Sequence, residues 1–236
     1  MDADRARLAI GLVDLTNLND RCTSADVDAL CARAAEHGTA AVCVWPDFVE
    51  QAVAALAGTP VAVATVVNFP TGDERPFAVR TLTERVVAVG ADDVDLVLPY
   101  RAFAAGDLDW CATVLDETKA ATADRAHLKV ILETGELGDV ALIESAARFA
   151  IDHGADFVKT STGKSPVSAT PEALAAMLAA IADAGRTVGL KPSGGISTAD
   201  AADAYLAQAE AVMGPDYLAP ATFRFGASSL LDALLS

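Results

Sequence analysis

Short runs of β-branched and other apolar residues alternate with alanine-rich stretches of helical period along the whole chain, eight times over. The runs predict strands at 9–15, 40–45, 61–68, 93–98, 127–133, 157–161, 187–191 and 223–226. Between them, apolar positions spaced three and four apart predict helices near 24–37, 47–57, 75–89, 108–122, 139–153, 171–184 and 198–212, and a last one near 228–235. Ser24 and Asp47 stand where N-caps are expected, and Thr170-Pro171-Glu172 reads as a cap, a first-turn proline and an acid. Gly38, Gly90, Gly154 and Gly185 each follow a helical run, the place of a left-handed C-terminal residue. Eight strand–helix units in 236 residues is the count of one α/β TIM (β/α)8 barrel domain spanning 1–236. An open doubly wound sheet is the competitor, but eight units would make it unusually wide, and no GxGxxG follows the first strand.

Alternation within the strands says which side chains enter the barrel. In Asp93-Val94-Asp95-Leu96-Val97-Leu98 the set Val94, Leu96, Leu98 suits the helix layer, so Asp93 and Asp95 point inward. In 127–133 the outward set is Leu128, Val130, Leu132, which leaves Lys129 and Glu133 inward. Lys159 shares the parity of Phe157, and Lys191 is opposite in parity to Val188 and Leu190. Lys129, Lys159, Lys191 and Asp95 are thereby predicted to share one lumen. The chain has only five lysines, and three of them fall inside strands, where an ammonium without a partner is costly.

Charge narrows the function classes. Seventeen basic against 33 acidic residues give a net charge of −16, which excludes nucleic acid and anionic membranes as general partners. An anionic substrate is still admitted, because a pocket can be positive on a negative body. No apolar run approaches the roughly 20 residues of a membrane span, and the N-terminus lacks a signal core, so a cytoplasmic protein is expected. Cys22, Cys31, Cys43 and Cys111 form no CxxC pair, and His37, His127 and His153 show no metal-binding spacing. No metal or cofactor is expected.

The inward amines allow a specific chemistry. Free lysine titrates near about 10.4; a second ammonium and a low-dielectric wall both disfavour the charged form. A neutral amine can attack a carbonyl and form a Schiff base, with an inward carboxylate such as Asp95 moving protons. On spacing alone, the same residues equally fit a buried ion network. The turns after strands six to eight read Thr162-Gly163-Lys164, Ser193-Gly194-Gly195 and Gly226-Ala227-Ser228-Ser229. One such turn is only a turn; three on neighbouring strands form a cradle of backbone amides for an anion such as phosphate.

Six segments resemble the signature segments of the deoxyribose-phosphate aldolase family: Asp14-Leu15-Thr16-Asn17-Leu18, Val94 to Arg101, Leu132 to Leu137, Asp156 to Lys164, Lys191-Pro192-Ser193-Gly194-Gly195 and Phe225 to Ser229. They occur in order over nearly the whole chain. The resemblance implies a metal-independent class I aldolase on a TIM barrel. Its reaction is the reversible cleavage of 2-deoxy-D-ribose 5-phosphate into acetaldehyde and D-glyceraldehyde 3-phosphate. It implies Lys159 as the Schiff-base lysine, Lys191 as the neighbouring ammonium and Asp95 as the proton shuttle. Asp14, Thr16 and Leu18 would border the sugar, and Cys43 the pocket. Thr162 would contact the substrate, and Gly163, Lys164, Gly194, Gly195, Gly226, Ser228 and Ser229 would hold the phosphate. A homodimer is admitted, not specified. Two departures from the family pattern stand out. Ser197 occupies a position where many relatives carry a basic residue, so weaker phosphate affinity or broader acceptor range is expected. The sequence stops at Leu234-Leu235-Ser236 without the tyrosine-bearing tail of some relatives, which would leave proton transfer to Asp95, Lys191 and water. Another Schiff-base barrel aldolase using dihydroxyacetone units, and a non-catalytic sugar-phosphate binder, are the competing readings.

Overall fold

Each apolar run contains a parallel strand in the computed structural model, which describes residues 1–123 and 125–236. The strands are β1 (Val13–Asn17), β2 (Ala41–Val44), β3 (Ala62–Val67), β4 (Asp93–Val97), β5 (His127–Ile131), β6 (Phe157–Lys159), β7 (Gly189–Lys191) and β8 (Phe225–Ala227). They pair in the order β7-β6-β5-β4-β3-β2-β1-β8, and parallel bridges Leu190–Phe223 and Ser193–Gly226 draw the remaining seam together. The fold is the expected (β/α)8 barrel, nearly closed.

Eleven helices are described: α1 (Ala3–Ile10), α2 (Ser24–His37), α3 (Val49–Ala55), α4 (Pro76–Ala88), α5 (Tyr100–Ala104), α6 (Leu108–Thr122), α7 (Thr134–Leu137), α8 (Val140–Asp152), α9 (Pro171–Ala182), α10 (Ala199–Met213) and α11 (Leu230–Leu234). The first strand begins four residues later than its apolar run. Residues 3–10 are helical instead, started by Asp2, whose side chain accepts from the Arg5 amide. A continuous apolar stretch such as 8–13 carries no period that separates helix from strand. Arg5 then ties α1 to α10 through Asp203 and Glu210, at 3.0 and 2.7 Å.

Two expected caps are corrected. Thr23, not Ser24, caps α2, because Thr23 and Asp26 exchange bonds in a capping box. Asp47 lies within a 3-10 turn, Pro46–Phe48, that precedes α3. Thr170 caps α9 as expected, and Gly38, Gly90, Gly154 and Gly185 all have positive φ. No described helix is long and apolar enough to cross a membrane.

The strand parity builds two interiors. Outward residues such as Val42, Val94, Leu96, Val130 and Leu190 join the helices in the main core. Inward residues divide by chemistry. Leu18, Cys43, Ala64 and Val66 form a small apolar cluster apart from that core, on the β2–β3 side. The rest of the lumen carries Asp14, Asp93, Asp95, Lys129, Lys159 and Lys191, all buried. Phe157 fills the layer beside Lys129, whose Nζ lies 5.3 Å from the ring centre. Gly189 makes room for that ring, since a Cβ there would stand 2.1 Å from Phe157 Cε1.

Candidate active site

Seven charged groups of the lumen form one ion-paired cluster. Asp95 Oδ2 lies 2.7 Å from Lys159 Nζ and 2.7 Å from Lys191 Nζ. Lys191 also reaches Asp14 Oδ2 at 2.5 Å. Lys129 pairs closely with Asp93, and stands 3.5 Å from Asp14 and 4.0 Å from Asp95. Arg224 donates to Asp14 Oδ1 at 2.7 Å and lies 3.7 Å from Asp93. Residues from β1, β4, β5, β6 and β7, and from the approach to β8, thus converge on one charge cluster, the juxtaposition that strand parity predicts.

Burial works against every charge here, and the partners decide the outcome. For Asp95, desolvation pushes the pKa up; the ammonium groups of Lys159, Lys191 and Lys129 outweigh it and hold the carboxyl below the ordinary range. Asp14 is held down in the same way, against burial, by Lys129, Lys191 and Arg224. Burial favours neutral Lys191, but Asp14 and Asp95 override it and keep the ammonium charged to unusually high pH. The two lysines therefore do not face each other bare, as an isolated lysine pair would. One carboxylate oxygen bridges them. Cys43, pushed up to about 11 by burial, is a neutral thiol in the apolar wall.

Access separates the amines. A cavity of about 640 Å³ opens at the C-terminal ends of the strands, and Lys159 contributes to its lining. Lys129 and Lys191 are wholly buried beneath it, while Lys159 is 4% exposed. Thr16, Leu18, Thr162, Gly163, Lys164, Gly194, Gly195, Gly226, Ser228 and Ser229 also line the cavity, as does Ser197. Asp14 and Cys43 do not; both lie below, Asp14 inside the ion cluster and Cys43 in the apolar wall.

The rim is organised by three turns that touch one another. Gly163, Gly194 and Gly195 all have positive φ. A Cβ on Gly194 would meet Ser168 Oγ at 2.4 Å and Gly163 Cα at 3.3 Å, so only glycine permits the approach. The amides of Gly163, Gly194, Gly195, Ser228 and Ser229 donate to no backbone acceptor outside the regular elements of the described residues. Lys164 arches over the opening, with Nζ 2.9 Å from the Leu18 carbonyl and 3.2 Å from Asp20. Glu133 adopts a left-handed backbone conformation that brings its carboxylate to the Thr162 hydroxyl at 2.5 Å.

Residues 8–236 match the family model described as DeoC/LacD family aldolase. The chain belongs to the DeoC/LacD aldolase family. A curated deoxyribose-phosphate aldolase of Agrobacterium fabrum is 50% identical to this family member over 99% of its chain and 91% of the relative. A crystal structure from Coccidioides immitis, carrying a provisional deoxyribose-phosphate aldolase assignment, is 31% identical with a TM-score of 0.85, covering 98% of this chain and 85% of that one. The tetrameric deoxyribose phosphate aldolase of Aeropyrum pernix, 24% identical, covers 98% and 91% at a TM-score of 0.82, a likeness of fold. The resemblance in the six segments and the aldolase class it implies agree with this family membership.

Arg224 joins the cluster without having been singled out by its sequence context. Its signal is there, because Phe223 and Phe225 join the outer core and alternation then turns Arg224 inward.

Proposed function

We propose that this aldolase reversibly cleaves 2-deoxy-D-ribose 5-phosphate to acetaldehyde and D-glyceraldehyde 3-phosphate through a Schiff base on Lys159. The observation that carries the assignment is access: of the three lumen amines, Lys159 alone reaches the cavity. Its Nζ adds to C1 of the open-chain sugar, and loss of water leaves an iminium. A base removes the C3 hydroxyl proton, the C2–C3 bond breaks, and its electron pair moves into the iminium to give an enamine. D-glyceraldehyde 3-phosphate departs. Protonation of the enamine at C2, followed by hydrolysis, releases acetaldehyde and restores the amine.

Asp95 passes protons between Lys159 and Lys191, directly or through water; its contacts with both at 2.7 Å support this role. Lys191, kept charged by Asp14 and Asp95, supplies a positive field beside the carbinolamine oxygen as water leaves. The free amides of the three rim turns, with Lys164, suit the phosphate of the five-carbon substrate. The apolar cluster of Leu18, Cys43, Ala64 and Val66 suits the two-carbon fragment. No metal takes part in this scheme.

The test is hydride trapping. Borohydride added with acetaldehyde is expected to add an ethyl group irreversibly to Lys159, read by peptide mass spectrometry, and Lys159→Ala is expected to lose both labelling and cleavage. Labelling that persists in Lys159→Ala, or turnover abolished by a chelator, overturns the proposal.

A further inference from the structure

Counting charges exposes a role for Arg224. The ion-paired cluster of the lumen holds three carboxylates, Asp14, Asp93 and Asp95, and four basic groups, Lys129, Lys159, Lys191 and Arg224; Glu133, also buried, stands outside it. A guanidinium stays charged at every working pH. Arg224, Lys129 and Lys191 already balance the three carboxylates. The fourth base is therefore surplus, and it is the one that faces the cavity.

The contacts show how this balance reaches Lys159. Arg224 Nη1 holds Asp14 Oδ1 at 2.7 Å, and the other oxygen of Asp14 holds Lys191 at 2.5 Å. Lys191 shares Asp95 Oδ2 with Lys159, 2.7 Å from each. Signs alternate along the whole path. With Arg224 on Asp14, the charge of Asp14 is divided between Arg224 and Lys191, and Lys191 in turn divides Asp95 with Lys159. Arg224 is itself fixed by a bond from Nε to the Pro220 carbonyl and is 6% exposed, so water cannot substitute for it.

We propose that Arg224 is a positioning residue whose charge, transmitted through Asp14, makes Lys159 the surplus base of the lumen and so keeps that amine available for Schiff-base formation at neutral pH. This rests on Lys159 as the nucleophile. Two further groups bear on the balance. Glu133 faces Lys159 from the end of β5, but its carboxylate is engaged by Thr162 and pairs with no base within 4 Å among the described residues. His127 touches Asp93 from the floor of the barrel at 3.0 Å and adds positive charge when protonated. Arg224 also lies 3.7 Å from Asp93, so a gain of charge at His127 in its absence opposes the effect and leaves its direction set by Arg224.

The experiment compares pH profiles of kcat/KM, and rates of borohydride trapping by acetaldehyde, for wild type, Arg224→Met, Arg224→Lys and the double variant Asp14→Asn/Arg224→Met. Arg224→Met is expected to lower trapping at pH 7 by on the order of tenfold, one pH unit of differential stabilisation, and to recover toward wild type near pH 9. Arg224→Lys is expected to retain the wild-type profile. The double variant, which removes one charge of each sign, is expected to return the profile toward wild type; a merely structural role for Arg224 would leave it as impaired as the single variant, or more so. An Arg224→Met profile that overlays wild type, or a double variant without recovery, overturns the inference while trapping at Lys159 in wild type keeps the nucleophile assignment. Absence of trapping in wild type instead removes the nucleophile assignment itself. Should Arg224→Met fail to fold, Arg224→Lys and the double variant decide the question.

Discussion

At the scale of single residues, the site rests on one carboxylate oxygen held between two amines. Asp95 Oδ2 is 2.7 Å from both Lys159 and Lys191, so replacing either partner changes what the other experiences. Asp95→Asn keeps the volume and removes the proton carrier. Cleavage is expected to slow by roughly 10²–10⁴-fold while near-UV circular dichroism stays native; a rate within a few fold of wild type would take Asp95 out of the proton path. Lys191→Leu removes a permanent cation instead. Asp14 and Asp95 keep their charge, and the lumen then has one ammonium fewer between those carboxylates and Lys159. Activity at pH 7 is expected to fall steeply and to return in part as pH rises, read from kcat/KM between pH 6 and 10. A loss independent of pH would mean that Lys191 acts only through packing. Strand parity makes the inward placing of Asp95, Lys159 and Lys191 legible in the sequence alone. The bridge between them is not legible, because alternation reports the side of the sheet and not the height of an atom in the lumen.

Elements differ in how plainly the sequence announces them. β4 and β5 are readable almost to the residue, since Val94-Leu96 and Leu128-Val130 mark the helix-facing side without interruption. β6, β7 and β8 are each three residues long; β6 ends two residues before its apolar run does, whereas β7 and β8 each begin two residues after theirs. The short helices α5 and α7 follow β4 and β5 directly and have too few residues to show a period. Glycine carries specific duties in these strands and turns. Gly189 on β7 faces the Phe157 ring, so Gly189→Ala drives a Cβ into it. Overpacking of this kind costs about 1–3 kcal/mol, and a fall in Tm of roughly 2–4 °C per kcal/mol is expected for a chain of this size; an unchanged Tm would mean that the ring moves aside freely. At the rim, Gly194→Ala collides with Ser168 and Gly163 without touching Lys159. Its expected effect is a KM for the phosphorylated sugar raised on the order of tenfold, about 1.4 kcal/mol, with kcat for unphosphorylated 2-deoxyribose unchanged. Equal losses on both sugars would place the phosphate elsewhere.

For the molecule as a whole, two sets of carboxylates respond to acid in opposite directions. The surface carries the whole of a net charge of −16, and its self-repulsion weakens as pH falls toward the pI of about 4.4. The buried carboxylates Asp14, Asp93 and Asp95 are all held below their ordinary pKa, burial being outweighed by the lysines and, for Asp14 and Asp93, also by Arg224. A depressed carboxyl contributes stability that is complete above its unfolded value, near about 3.9, and that disappears as pH falls through the lower folded value. Stability is therefore expected to rise gently from pH 7 toward about pH 5 and to collapse below about pH 4. Urea midpoints across pH 3–7 measure both limbs. Added salt screens exposed charges but reaches buried pairs poorly, so 0.5 M NaCl is expected to flatten the upper limb and leave the acid collapse in place. Asp93→Asn/Lys129→Met removes one buried carboxylate together with its closest cation, avoiding the several kcal/mol cost of stranding either charge alone. That variant is expected to lose stability less steeply below pH 4 than wild type. Parallel acid limbs in the two proteins would locate the collapse outside the lumen.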